Sequence, residues 1–240
     1  MTDAAALKNS FLPGSVHVVG SLLQPDPPLG GWAAVAAACD VVEFRVDACP
    51  RDAAAVREAA AAAPVPALLT VRDPREGGRN ALGLTPRRAL LQSLVDDFQL
   101  VDIEIANLGM YHEVVRQAKD NGTLVVGSFH DFKGQPDSAV LSDLIAEAQS
   151  LGADIVKCAV TPQSAADLAA LAAFLEAAPT TPLSLMGMGP LGRVSRLLLG
   201  QLGSVLNYGY LDAASVPGQW AAADLKRLLA ELRAPLPPAT

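Results

Sequence analysis

Residues 153–177 read ADIVKCAVTPQSAADLAALAAFLEA. The run Asp154–Val160 is mostly apolar on both alternating faces, as a parallel strand covered on both sides requires. At Thr161-Pro162 the pattern changes to apolar residues at helical spacing that continue to Ala177. Thr161 reads as an N-cap with proline at the first helical position. One strand, one turn and one helix therefore follow each other within 25 residues.

The unit recurs along the chain. Strands are predicted at Val16–Ser21, Val41–Asp47, Val65–Arg72, Leu100–Ala106, Thr123–His130, Asp154–Val160, Pro182–Met188 and Gly203–Tyr210. Helices are predicted at Trp32–Ala38, Ala53–Ala62, Pro86–Phe98, Met110–Asp120, Ser138–Ser150, Pro162–Ala177, Pro190–Gly200 and Trp220–Leu232, with Thr85-Pro86 repeating the cap signal. Alternation of this kind implies a parallel sheet, and the count of eight favours a closed (β/α)8 TIM barrel. A doubly wound open sheet is the alternative. No G-x-G-x-x-G follows the first strand, which weakens its nucleotide-binding form. The chain reads as a single domain over 1–240, with the barrel at about 16–232 and a frayed tail from Ala234.

Composition narrows the partners. Hydrophobic residues make up 51% of the 240, enough for one large core and too many for a disordered chain. The net charge of −7, without Lys/Arg blocks, argues against nucleic acid and membrane surfaces as partners. It leaves room for a small anion, since a few buried arginines can make one pocket positive. No apolar run approaches the roughly 18 residues of a membrane span, and no leader is visible. Cys39, Cys49 and Cys158 form no even framework and no C-x-x-C, so they are expected to be reduced thiols of a cytoplasmic protein.

Charged residues inside strand patterns carry the chemistry, because desolvating an unpartnered charge costs several kcal/mol. Lys157 stands among Ile155, Val156 and Ala159. Burial disfavours its ammonium form and makes the amine a nucleophile near neutral pH. Arg45 and Arg72 are expected to add repulsion, offset by Glu43 and Glu104. Alternation turns Cys158 away from Lys157, toward the helices. Glu43, Arg45 and Asp47 share one strand face, either as an internal ion-pair ladder or as groups offered to a polar ligand. Asp102 and Glu104 share another and are expected chiefly to pair with inward Arg or Lys. Arg72 is followed by Glu76-Gly77-Gly78, a loop that places charge over the barrel mouth. His130 ends the fifth strand, where a barrel delivers side chains to its site; His17 reads as structural and His112 as surface. Ser215-Val-Pro-Gly-Gln219 follows the eighth strand and has the make-up of either a turn or a lid.

Taken in order, Glu43-Phe-Arg45-Val-Asp47, Arg72 with Glu76-Gly-Gly, Asp102-Ile-Glu104, Ser128-Phe-His130-Asp-Phe, Asp154-Ile-Val-Lys157, Ser195-Arg196 and Ser215-Val-Pro-Gly-Gln219 resemble the type I 3-dehydroquinate dehydratases of the shikimate pathway. The resemblance spans Ser21 to Gln219. It implies a barrel lyase without metal or dissociable cofactor, acting on the small anionic substrate 3-dehydroquinate, and a homodimer. It implies that Lys157 forms an imine with the substrate ketone, that His130 is the acid/base and that Glu76 polarises it. Glu43, Arg45 and Arg72 match groups that bind substrate hydroxyl and carboxylate, and Arg196 matches the main carboxylate partner. Ser215 and Gln219 match the lid, Met186 an apolar wall, and Ser21 a substrate contact. Phe129, Lys133-Gly-Gln-Pro136 and Val216 depart from the family pattern, and the short N-terminus implies a reduced hairpin under the barrel floor. Two other readings share part of this pattern. A class I aldolase-like barrel would keep the lysine but want a phosphate site, and a dehydratase-like binding protein would have lost the lysine, histidine or glutamate.

Overall fold

A computed structural model describes residues 4–178, 180–214 and 218–234. Their order is α1 (Ala4–Ser10), β1 (His17–Leu22), α2 (Gly31–Ala38), β2 (Val41–Arg45), α3 (Ala53–Ala62), β3 (Ala67–Thr70), α4 (Leu84–Leu94) and β4 (Leu100–Glu104). Next come α5 (Ile105–Leu108), α6 (His112–Asn121), β5 (Leu124–His130), α7 (Ser138–Ser150), β6 (Ile155–Val160) and α8 (Ala165–Glu176). The chain ends in β7 (Leu183–Gly187), α9 (Gly192–Gln201), β8 (Leu206–Tyr210), a short β9 (Trp220–Ala221) and α10 (Ala222–Arg233).

The strands pair in parallel in the order β7-β6-β5-β4-β3-β2-β1-β8, with β9 added beside β8. Between β7 and β8 a different set of bonds closes the circle. Val205 N donates to Leu183 O at 2.7 Å. The Ser184 hydroxyl donates to Leu206 O. The Ser204 hydroxyl accepts from Leu185 N and donates to Leu185 O, both at 3.0 Å. The result is the expected (β/α)8 barrel, its eighth strand beside its first and its seam sewn largely by serine side chains.

Strand alternation divides the core in two. Outward residues such as Phe44, Ile103 and Cys158 pack under the helices. Inward residues such as Val19, Leu68, Leu100, Val126 and Ile155 fill the barrel, as a parallel barrel demands. Leu7 and Phe11 join this inner cluster from below, so α1 and the residue after it plug the floor where a reduced hairpin was expected. His17 Nε2 lies 2.8 Å from Ser10 O and its ring 4.6 Å from that of Phe11, a structural position at the floor.

All the predicted helix starts except those of α3 and α7 shift by one to three residues, and at two of them the expected threonine cap is displaced. Helix α4 begins at Leu84, which puts Thr85 inside its first turn. Helix α8 begins at Ala165, because Ser164 and Asp167 form a reciprocal capping box that satisfies two orphan N–H groups. Thr161 instead belongs to the loop after β6, its hydroxyl donating to Asp131 O at 2.8 Å. Among the described residues, no helix is long and apolar enough to cross a membrane.

Candidate active site

The C-terminal ends of the strands converge on one cavity. Ser21 of β1, Glu43 and Arg45 of β2, Arg72 beyond β3, His130 of β5, Lys157 of β6, Met186 of β7 and Tyr208 of β8 line it. Glu76 and Gly77 enter from the loop after β3, Arg196 from α9 and Gln219 from the stretch before β9. Ser215 lies outside the described residues. Every other residue singled out as catalytic or substrate-binding reaches this cavity.

Lys157 is buried, and its Nζ donates to Asp102 Oδ2 at 3.1 Å. Burial and the Arg72 charge lower its pKa from the ordinary lysine value, with Asp102 and Glu43 opposing. The carboxylate bonded to the amine is Asp102; of the two expected to offset the repulsion, Glu43 does act on it, while Glu104 pairs with Arg72 and Arg87. Burial favours the neutral form of Asp102, yet Arg72 and Lys157 outweigh it and hold the carboxyl well below the usual range. Arg72 bonds Asp102 at 2.7 Å, Glu104 at 3.0 Å and the Ser128 hydroxyl at 2.6 Å through its two Nη atoms. Glu104 pairs in turn with Arg87, which also binds Asp73 at 2.7 Å. Alternating charges therefore run from the lysine at the barrel axis to helix α4, and Asp102 and Glu104 pair inward as expected. Cys158 lies on the opposite face of β6, in the core under the helices.

The histidine is set by the loop after β3. Asp47 anchors that loop by accepting from Arg72 N at 3.2 Å and Arg79 N at 2.8 Å, while both its oxygens hold Arg45 at 2.9 Å. Gly77 has φ +85°, and a Cβ on Gly78 would fall 2.2 Å from Arg72 O. The Gly-Gly pair is therefore required by the turn that aims Glu76. Glu76 Oε2 accepts from His130 N at 3.0 Å and lies 3.0 Å from His130 Nδ1. This contact favours the Nδ1–H tautomer and leaves Nε2 the acceptor. Burial, Arg72, Lys157 and Arg45 push the imidazole well below 6.5, so it is neutral at pH 7. Burial raises Glu76 to about 7, against the pull of Arg72. A neutral base and a weakly acidic carboxyl thus share one hydrogen bond.

Arg196 comes from a helix, so its position follows from packing at the start of α9. The Ser195 hydroxyl accepts from Gly187 N at 2.9 Å and donates to Gly192 O at 2.8 Å, which binds α9 to the end of β7. Arg196 Nη1 donates to Tyr208 O at 2.8 Å and approaches Met186 Sδ at 3.3 Å. Its Nε has no hydrogen-bond partner among the described residues, and no carboxylate there pairs with it. Burial alone lowers its pKa to about 10, leaving a desolvated cation facing an open cavity. On the Glu43 side the site is already satisfied: Glu43 accepts from Ser21 Oγ at 2.5 Å and Thr70 Oγ1 at 2.8 Å.

Sequence reasoning passed over Tyr208, Met188, Phe132 and Ala159, which also line the cavity. The signal for Tyr208 was its inward place in Leu206-Asn-Tyr-Gly-Tyr210, where an aromatic residue resembles ordinary core. Among the described residues, no group of three His, Cys, Asp or Glu could hold a metal ion.

A closed parallel barrel that presents a buried amine beside a neutral imidazole belongs to the class of α/β-barrel enzymes working through a nucleophilic lysine. Within that class the chain belongs to the type I 3-dehydroquinase family, whose sequence model it matches over residues 30–234. It is 35% identical over 252 residues to a 3-dehydroquinate dehydratase of Klebsiella pneumoniae (strain 342), covering 95% of this chain and 98% of that one. It is similar to the crystal structure of 3-dehydroquinate dehydratase from Geobacillus kaustophilus HTA426, with a TM-score of 0.80, 28% identity and 91% of each chain covered. It is also similar to a type I 3-dehydroquinate dehydratase from Clostridium difficile with covalent modified comenic acid, with a TM-score of 0.79, 25% identity, and 90% and 92% of the chains covered.

Proposed function

We propose that this chain is a lyase of the shikimate pathway that dehydrates 3-dehydroquinate to 3-dehydroshikimate through an imine on Lys157. The observation that carries this reading is one cavity holding a desolvated lysine amine, a neutral histidine and an arginine that, among the described residues, has no carboxylate partner. Arg196 takes the substrate carboxylate and orients the ring, with Arg45 and Arg72 adding positive field and Gln219 and, by the family resemblance, Ser215 as further substrate contacts. Glu43 and Ser21 meet ring hydroxyls, and Met186 covers an apolar edge.

The neutral Lys157 amine attacks the ring ketone, and the resulting carbinolamine loses water to give the imine. Protonated, the imine withdraws electrons from the adjacent carbon. His130 removes a proton there, and the electron pair flows to the imine nitrogen as an enamine. The enamine then expels the β-hydroxyl, which leaves as water with the proton returned by His130. Hydrolysis of the new imine restores the ketone and frees the lysine. Glu76 keeps the imidazole in the tautomer whose free nitrogen faces the substrate.

Borohydride added during turnover should fix the ligand mass on Lys157, and the conjugated product should absorb in the ultraviolet. Labelling at another lysine, or turnover with no trapped adduct, would overturn the imine. The same reading takes the chain as one catalytic domain, and takes the enzyme as cytoplasmic and homodimeric. Three free cysteines support the compartment. Light scattering of the purified protein tests the dimer.

A further inference from the structure

Tyr208 has no part in the scheme above, yet it touches the group on which that scheme turns. Lys157 Nζ sits over its ring, 4.1 Å from the centroid. Its hydroxyl is buried and has no hydrogen-bond partner among the described residues. We propose that Tyr208 is a positioning residue for Lys157, its ring face seating the amine beside Asp102 until substrate arrives. The proposal rests on Lys157 being the imine-forming group.

The amine is approached from several elements. Asp102 of β4 binds it, Arg72 beyond β3, Glu43 of β2 and His130 of β5 face it electrostatically, and Tyr208 of β8 covers it. Among the described residues, Asp102 supplies the one hydrogen bond to it, at 3.1 Å. The ring supplies a contact of another kind. A π face attracts an ammonium and has almost no hold on a neutral amine. Tyr208 therefore fixes the charged, resting lysine and lets go once the proton leaves, when the amine must reach the substrate ketone. A second carboxylate in its place would keep the lysine charged and would accept a hydrogen bond from either form. The ring is thus a restraint that lapses at the step where freedom is needed. The phenol stays protonated: burial raises its pKa well above 10, reinforced by Glu43 and Asp102. The ring face is therefore not altered by ionisation of its own hydroxyl.

Residue-resolved labelling of Lys157 with a pyridoxal-type reagent, followed against pH in the full chain, tests the contact without any imine to substrate. Tyr208→Leu should titrate Lys157 about one pH unit lower than the parent, the size of a desolvated cation–π contact. It should label faster at neutral pH and yet turn over 3-dehydroquinate more slowly, a pairing that general loosening of the barrel would not give. Tyr208→Phe keeps the ring face and should follow the parent titration. Mono-, di- and trifluorinated phenylalanine at position 208 weaken that face stepwise at nearly constant shape, so the lysine titration should fall stepwise. This series decides the matter even if the leucine variant fails to fold. A titration unmoved across the fluorinated series, or a phenylalanine variant displaced as far as the leucine one, overturns the proposal. Borohydride trapping of the parent enzyme separately reports whether Lys157 forms the imine at all.

Discussion

Removing Arg196 separates what it contributes to binding from what it does to stability. A buried cation with no carboxylate partner weakens the fold, and an apolar side chain of similar reach does not carry that cost. Arg196→Met also loses the bond to Tyr208 O, so its melting temperature should stay within a few degrees of the parent while KM for the anionic substrate rises on the order of a hundredfold. A fall in melting temperature together with an unchanged KM would place the anion elsewhere. Glu76 makes a second prediction, concerning pH. Its carboxyl is raised by burial from 4.5 to about 7, so between those values the folded protein holds a proton that the unfolded chain gives up. Stability from this group is present at low pH and is lost as the pH climbs through 7. Glu76→Gln removes the dependence. The unfolding free energy of the variant minus that of the parent should rise between pH 4.5 and 7 in urea titrations, and a flat difference would contradict the assignment. These residues were legible to different degrees. Lys157 stood out because a charge in an apolar strand needs a reason, and Glu76 because it follows an arginine at a strand end. The choice of Asp102 over Glu104 as the lysine's partner was not legible, since both lie on one face and only the curvature of the barrel decides between them. Tyr208 gave only its inward place in the eighth strand, which fits the core as well as a site.

Elements that announce themselves by periodicity fell where they were read: α3 spans Ala53–Ala62 and α7 spans Ser138–Ser150. The other starts moved by one to three residues, and at two of them the threonine before proline is not the cap: α4 begins at Leu84 after Gly83 with no side-chain cap. At α8 the stronger cap is Ser164 with Asp167. Ser164→Ala should lower stability by about 1 kcal/mol, measured by urea unfolding, whereas Thr161→Ala should not uncap the helix. At the chain's start, α1 was hidden by the expectation of a reduced hairpin. Phe11 beside it is 3% exposed and closes the inner core. Phe11→Ala should cost about 3–5 kcal/mol and lower Tm by roughly 10 °C. It should leave kcat close to the parent value, since the barrel floor lies opposite the strand ends that bear the cavity. Loss of activity in the folded variant would show that floor and mouth are coupled.

Across the whole molecule the barrel is uneven around its circumference. Seven neighbouring strand pairs of the barrel share parallel ladders, while β7 and β8 are joined by one backbone bond and the hydroxyls of Ser184 and Ser204. Ser204→Ala leaves both Leu185 N and Leu185 O without their partner and should destabilise by about 1–3 kcal/mol. Hydrogen exchange at Leu185 should quicken more than at Val101 of β4 on the far side, and equal protection in the variant would show that the seam needs no side chains. Arg196 also spans this line, since it starts from the helix after β7 and donates to Tyr208 O of β8. An anion that draws Arg196 into a fixed pose therefore acts on the two strands that the ladder leaves apart. By reciprocity, whatever tightens the join between them strengthens the grip on the anion to the same extent. The arginine that reads the ligand's charge is also a buckle of the barrel, and occupancy of the cavity becomes measurable at its opposite end as slower exchange of amides that no ligand atom reaches.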